Sequence, residues 1–141
     1  MTEIMKNLSD YIILEEKEVR QLNPLIWAYI GDAVYEVYVR SFIISYGRKS
    51  NSDLHKESIK FVKASAQSNY LEQILKELNE DEQYIVKRTR NTKSSHVPRN
   101  ADVIDYRRAT ALEGLIGYLY LTKNFSRLNE IMHLILSETE E

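Results

Sequence analysis

The sequence predicts an all-α protein, and three observations carry that prediction. Its 141 residues include only two prolines and four glycines, too few to punctuate a protein built of many short strands. Apolar residues recur at spacings of three and four over most of the chain. No segment alternates convincingly at period two, the pattern of a half-buried strand. A chain of this length builds one core, so the expectation is a single domain over 1–141 with about six or seven helices. Residues 1–21 are read as an N-terminal extension and 138–141 as an acidic, fraying tail.

Asn23-Pro24 is a strong helix start, because Asn caps and Pro in the first turn forfeits no hydrogen bond. This first helix should run to about Ser45 and stop near Gly47. Leu25, Ala28, Tyr29, Ala33, Tyr35, Val37, Val39 and Phe42 make it apolar around much of its circumference, which predicts a central position. A second helix is expected after Ser52 or Asp53, with Leu54, Ile59, Phe61 and Val62 on its apolar side. A third covers roughly Ser65 to Leu78, with Tyr70, Leu71, Ile74, Leu75 and Leu78 at helical spacing, and a fourth spans about Asp81 to Arg90. Residues 91–101 are polar, basic and contain Pro98, and read as a loop. Asp102 or Asp105 caps the next helix, which runs to Thr122; a last helix covers about Ser126 to Ser137.

Composition excludes several classes. Without cysteine, neither a disulfide nor a zinc-thiolate site can form, which is compatible with a reducing cytosol and a cytoplasmic protein. No apolar run approaches the roughly 20 residues of a membrane span, and the first ten residues lack the basic-then-apolar order of a signal peptide. The net charge of −2 hides an asymmetry. Between Tyr84 and Arg108 stand Lys87, Arg88, Arg90, Lys93, Arg99, Arg107 and Arg108 against only Asp102 and Asp105, seven positive charges to two negative. That segment has the electrostatic character of a phosphate-binding surface, although a charged loop can also be merely solvated.

Two acids sit where helices should be apolar. Asp32 lies in Trp27-Ala-Tyr-Ile-Gly-Asp-Ala-Val-Tyr35, and Glu113 in Ala109-Thr-Ala-Leu-Glu-Gly-Leu-Ile-Gly-Tyr118. A buried ionised carboxylate needs a cationic partner, a metal ion or a proton. Both stretches also hold small residues, Ala28, Gly31 and Ala33 in one and Gly114 and Gly117 in the other. Glycine within a helix costs about 1 kcal/mol against alanine, so close approach of the two helices is expected, bringing Asp32 and Glu113 together. Facing carboxylates suit a hard cation such as magnesium. The competing reading pairs each acid with an arginine, Arg107 or Arg108. Glu36, one turn after Asp32, is a candidate outer-shell oxygen or a plain surface ion pair.

Tyr29-Ile-Gly-Asp-Ala-Val34 resembles the ribonuclease III signature, and Thr110-Ala-Leu-Glu-Gly-Leu-Ile-Gly-Tyr-Leu-Tyr-Leu121 resembles its second signature. Arg88-Thr-Arg-Asn-Thr-Lys93, Val97-Pro-Arg-Asn100 and Tyr106-Arg107 are similar to the Mini-ribonuclease III branch in particular, and the likeness extends over nearly the whole chain from Leu22. The resemblance implies a ribonuclease III-type endonuclease domain that cuts double-stranded RNA to leave 3′-hydroxyl and 5′-phosphate ends. It implies Asp32 and Glu113 as catalytic and metal ligands, Mg2+ as cofactor with Mn2+ as a substitute, and the precursor of the large (23S) ribosomal RNA as substrate, with room for a ribosomal protein that presents it. Where full ribonuclease III carries a glutamate before the aspartate and an aspartate before the glutamate, this chain has Ala28 and Thr110, so fewer protein ligands to the metal are expected. The chain also ends too soon for a separate RNA-binding domain, so affinity must come from this one. Lys87, Arg88, Arg90, Asn91, Lys93, Arg99 and Arg107 are the expected RNA contacts, helped by Ser94, Ser95 and Asn100. His55 matches a Mini-ribonuclease III position and is a further candidate contact; His96 falls in the basic loop, and His133 at a surface or interface.

Two strands and one site per chain call for a two-fold homodimer. Trp27, Tyr35, Tyr38 and Phe42 supply more large side chains than a monomer of this size readily buries, which places the Asp32 helix at the dimer axis, unless those rings turn into the monomer core. Two alternative functions remain at the level of sequence: a non-catalytic RNA-binding module that keeps the ribonuclease III fold, and a helical interaction protein whose acids are structural.

Overall fold

Asn23 caps the long helix as its sequence requires, its side chain accepting from the Leu25 amide at 2.9 Å with Pro24 in the first turn. The structure, a computed structural model, describes residues 7–47, 49–94, 97–99 and 102–137. Among them the α-helices are α1 (Glu16–Arg20), α2 (Pro24–Ile44), α3 (Asn51–Val62), α4 (Ala64–Ile74), α5 (Glu80–Asn91), α6 (Val103–Leu121) and α7 (Phe125–Ser137). No described residue is in a strand, and no helix is long and apolar enough to cross a membrane.

The expected elements are present, with differences that have physical causes. Ser50, not a residue of the Ser52-Asp53 pair, caps α3 by accepting from the Asp53 amide at 3.1 Å. Asp102 rather than Asp105 caps α6, accepting from the Asp105 amide at 3.1 Å. The third helix stops at Ile74, and a 3-10 turn, Leu75–Glu77, completes the stretch. Two elements precede Asn23 in what was read as extension: a 3-10 turn, Leu8–Tyr11, and α1, a single turn and a half with a Glu15/Glu18 capping box. So short a helix stands through tertiary contact. Val19 is fully buried beside Trp27, Ile85 and Tyr118, and its carbonyl accepts from Trp27 Nε1 at 2.8 Å. The acidic tail lies outside the described residues.

The central helix is α6, not α2. Ala111, Leu112, Leu115 and Ile116 of α6 are fully buried, whereas α2 leaves Tyr29, Val37 and Ile44 well exposed. A helix apolar on every side has no preferred phase, so its sequence does not say which arc meets the core. On α2 the inward arc carries Trp27, Ala28, Gly31, Tyr35, Val39 and Ile43.

Small residues set how α2 crosses α6. A Cβ on Gly31 would overlap the Glu113 carbonyl, and one on Gly117 would overlap the Trp27 carbonyl. The two helices therefore touch backbone to backbone, as the glycine pattern predicts. Gly114 serves a different contact: a Cβ there would meet the Thr89 side chain of α5 at 2.5 Å. Substituting alanine at Gly31 or Gly117 should destabilise by about 3 kcal/mol or more, because backbone cannot move aside. Denaturant titration of G117A against G114A checks this; G117A with unchanged stability would refute the crossing.

Candidate active site

The crossing fixes where the two unusual acids stand. Gly31 contacts the Glu113 carbonyl, so Asp32, the next residue on α2, and the Glu113 side chain of α6 face each other from adjoining turns. They line a cleft of about 930 Å³ together with Ala28, Glu36, Tyr106 and Thr110. Asp32 is exposed to this cleft rather than buried, a correction to the expectation from its apolar neighbours; those neighbours, Tyr29 and Ala33, are themselves exposed. Glu113 is half-buried at the cleft floor.

Burial pushes the Glu113 carboxyl up to about 8, and the nearby Asp32 charge and hydrogen bond push it the same way. The Gln67 amide opposes this, donating to Glu113 Oε2 at 3.3 Å. Among the described residues neither acid forms an ion pair with an arginine or lysine, which removes the reading that paired them with Arg107 or Arg108. Arg108 stands 3.9 Å from Glu72 instead. The two facing carboxylates are thus left without an ion-pair partner of their own, Arg40 of the same cleft being paired with Glu36, and the donors are hard oxygens. Two hard-oxygen donors fit a magnesium-like ion, which keeps several waters of its own; no group of three or more acids or histidines that could hold a metal forms among the described residues.

The cleft also accounts for the thinned acid set. Ala28 and Thr110 both border it, and the Thr110 hydroxyl turns back to donate to the Tyr106 carbonyl at 2.9 Å. Glu36 lines the same cleft, raises Glu113 further by its charge, and pairs with Arg40 at 2.5 Å. It is both the surface ion pair and the neighbour of the site. Arg40 was missed in the sequence, since an arginine one turn after a glutamate reads as an ordinary surface pair. Gln67 was missed too, although it shares the α4 stripe with Leu71 and Ile74, all three buried.

The basic residues divide. Arg90 and Arg107 border a small depression that shares Leu25, Ser94, Tyr106 and Thr110 with the cleft. Lys87, Arg88 and Asn91 line a separate shallow groove with Tyr84 and Thr92. Arg88 is half-buried with its guanidinium 5.6 Å from the centre of the Trp27 ring, and it donates to the Arg20 carbonyl at 3.4 Å, so part of its role is structural. Lys93 and Arg99 are exposed. His55 is not brought to the acids; it lies in a second depression between α2 and α3 that borders Arg40. His133 is exposed on α7, and Ser95, His96 and Asn100 lie outside the described residues.

An all-helical domain that presents two facing carboxylates at a glycine crossing agrees with a ribonuclease III domain, and the ribonuclease III domain family matches residues 25–124. Curated relatives narrow this. Mini-ribonuclease 3 of Clostridium tetani is 49% identical over 135 residues, covering 93% of this chain and 89% of that one. Mini-ribonuclease 3 of a Thermoanaerobacter species is 42% identical over 138 residues, 98% and 97% of the two chains. A crystal structure of a Fusobacterium nucleatum protein superposes with a TM-score of 0.75 at 32% identity, covering 85% of this chain and 96% of that one. The chain belongs to the ribonuclease III family, in its Mini-ribonuclease 3 branch, and is an endoribonuclease.

The raised Glu113 carboxyl gives a pH prediction. Between the usual carboxylate range and about 8 the folded protein keeps a proton that the unfolded chain has lost. Stability without metal should therefore fall as pH rises from about 5 to about 8, the folded state binding more protons than the unfolded state. E113Q should flatten that slope. Thermal unfolding in chelator across this range is the measurement, and identical slopes in both proteins would contradict the environment described for Glu113.

Proposed function

We propose that this endoribonuclease cleaves double-stranded RNA in a metal-dependent hydrolysis centred on Asp32 and Glu113. The observation that carries the reading is the facing of these two carboxylates in an open cleft, neither of them ion-paired to a basic side chain among the described residues. Both would hold a magnesium ion, with manganese as a substitute, and the ion would supply Lewis acidity and an activated water for phosphodiester cleavage. The chain's own residues orient and bind. The Gly31–Gly117 contact holds the backbone of the two acids in register, and Glu36 adds negative charge beside them. Arg90 and Arg107 beside the cleft, Lys87 and Asn91 in the neighbouring groove, and the exposed Lys93 and Arg99 are assigned to the phosphate backbones of the duplex. Contacts of this kind read shape and charge rather than sequence, which suits a duplex whose deep groove is closed to side chains.

The likeness to Mini-ribonuclease 3 supports a finer reading: a cytoplasmic enzyme that matures the precursor of large-subunit ribosomal RNA and leaves 5′-phosphate ends. D32N keeps shape and loses the charge a cation needs. It should lower duplex cleavage by at least a hundredfold while leaving the fold and RNA affinity intact. Near wild-type cleavage by D32N, measured on a labelled duplex with MgCl2, would refute the assigned site.

We further propose a homodimer formed through the outer arc of α2. Trp27 and Tyr35 cannot supply it, because both are fully buried in the monomer, and Tyr38 and Phe42 are half-buried. The exposed arc carries Ile26 (46% exposed), Tyr29 (81%), Val37 (64%) and Ile44 (63%). With Ala33 these recur at spacings of three, four and seven, so they form one stripe along the helix. An apolar stripe of that length is costly in water, and a two-fold copy of the same helix would cover it. It adjoins the Asp32 cleft, so two sites would lie near one axis and reach both strands. Light scattering at micromolar concentration should give twice the chain mass, and V37E should give the single mass in a folded protein. A monomeric mass for unmodified, active protein would overturn the dimer.

A further inference from the structure

We infer that Gln67 is a positioning residue for Glu113, fixing the side-chain orientation in which that carboxylate receives a cation. This rests on the metal-binding reading of Asp32 and Glu113. Gln67 is 3% exposed, on the inner face of α4. Its amide nitrogen donates in two directions, to the Val62 carbonyl at 2.7 Å and to Glu113 Oε2 at 3.3 Å. Its Oε1 is buried and has no hydrogen-bond partner among the described residues.

The Val62 carbonyl needs that donor because Lys63, with an extended backbone at ψ 150°, breaks the helix between α3 and α4. The preceding carbonyl, of Phe61, is met in a parallel way by the Tyr35 hydroxyl of α2 at 2.8 Å. Two consecutive carbonyls at the α3–α4 elbow are thus tied to side chains from either side of the candidate site. The consequence for Gln67 is a fixed amide orientation. Exchanging Nε2 and Oε1 would set an acceptor against the Val62 carbonyl, which can only accept, so the amide keeps its N–H toward that carbonyl and, with it, toward Glu113. One oxygen of Glu113 is thereby engaged from the protein side, leaving the rest of the carboxylate for the cleft and Asp32.

A purely structural residue would not explain this combination. The elbow needs one donor; the second is spent on a carboxylate, while Oε1 goes unmet in a site where unmet polar atoms are costly. The arrangement matches the general pattern in which a neighbour orients a metal-binding carboxylate by hydrogen bonding. The 3.3 Å separation is at the long end for N–H to oxygen, and should shorten when Glu113 carries full negative charge beside a cation.

The test follows the Gln67 side-chain amide in 1H–15N spectra of the unmodified protein during titration with MgCl2, alongside Q67M, which keeps length and loses the donor. The Gln67 amide signals should move together with the backbone signals of Asp32 and Glu113, and in E113Q they should stay still. Q67M should weaken MgCl2 binding and lower kcat by about tenfold to a hundredfold, with RNA affinity measured without metal unchanged and activity partly recovered at high MgCl2. If the Asp32 and Glu113 signals respond while Gln67 does not, or if folded Q67M binds MgCl2 as the unmodified protein does, the positioning role is overturned and the metal site stands. If none of the three responds to MgCl2, the metal-site reading itself fails and the role of Gln67 falls with it. The spectra of the unmodified protein decide the matter even where Q67M does not fold.

Discussion

The backbone contact between α2 and α6 governs the rest of the structure. At Gly31 and Gly117 there is no room for even a methyl group, so the two helices meet through their main chains. Two consequences follow together. The backbone positions of Asp32 and Glu113, at or beside the contact, are held in register by main chain rather than by flexible side chains. The helix α6, gripped by α2 on one side and by Thr89 of α5 at Gly114 on another, becomes the most enclosed element of the fold. Sites supported by packed helices hold their geometry better than sites on loops, and here the supporting contact and the site are the same few residues.

How far this was legible in the sequence depends on whether the signal was local. Asn23-Pro24 and Asp102 announce helix starts because caps and turns are chemistry within three residues. Asp32 and Glu113 stood out because acids and glycines inside apolar helices are locally expensive. Directions in space were harder to read. Trp27 and Tyr35 were expected at a dimer axis and are instead in the core, because an all-apolar helix gives no phase. Gly114 looked like a partner of Gly117 and packs on a different helix. Val19 needs the distant Trp27, Ile85 and Tyr118 before its short helix makes sense. Gln67 hid for the opposite reason: a glutamine near the start of an amphipathic helix looks like surface, and only its register with Leu71 and Ile74 placed it inside.

The electrostatics form two poles around one cleft. Asp32, Glu113 and Glu36 line it together, and Glu113 resists ionisation, through burial first and through the charges of its two neighbours after that. Arg90 and Arg107 stand at its edge, and Lys87, Arg88 and Asn91 line the next groove. A polyanion approaching such a surface is attracted by the rim and repelled at the centre. Only a cation at the centre makes the whole field attractive to a phosphate chain. The charge pattern therefore couples the two parts of the functional reading. The basic rim alone suits an RNA-binding surface, and the acid pair alone suits a cation, but the two together suit a phosphodiester held over a metal ion.

The same reasoning bears on how few acids the site contains. With Ala28 and Thr110 at the cleft wall, the two facing carboxylates have only Glu36 as a further acid in the cleft. Fewer acids mean less mutual repulsion in the metal-free state, and also less restraint on each carboxylate that remains. Restraint must then come from elsewhere. For Asp32 it comes from α2 lying against α6 at Gly31. For Glu113 the helix fixes only the Cα position, and a glutamate side chain has three further torsions to settle. The buried Gln67 amide, anchored on the Val62 carbonyl, is the group placed to settle them. A site thinned of carboxylates thus leans on a neutral neighbour for precision, and the elbow between α3 and α4 becomes part of the machinery rather than a mere turn.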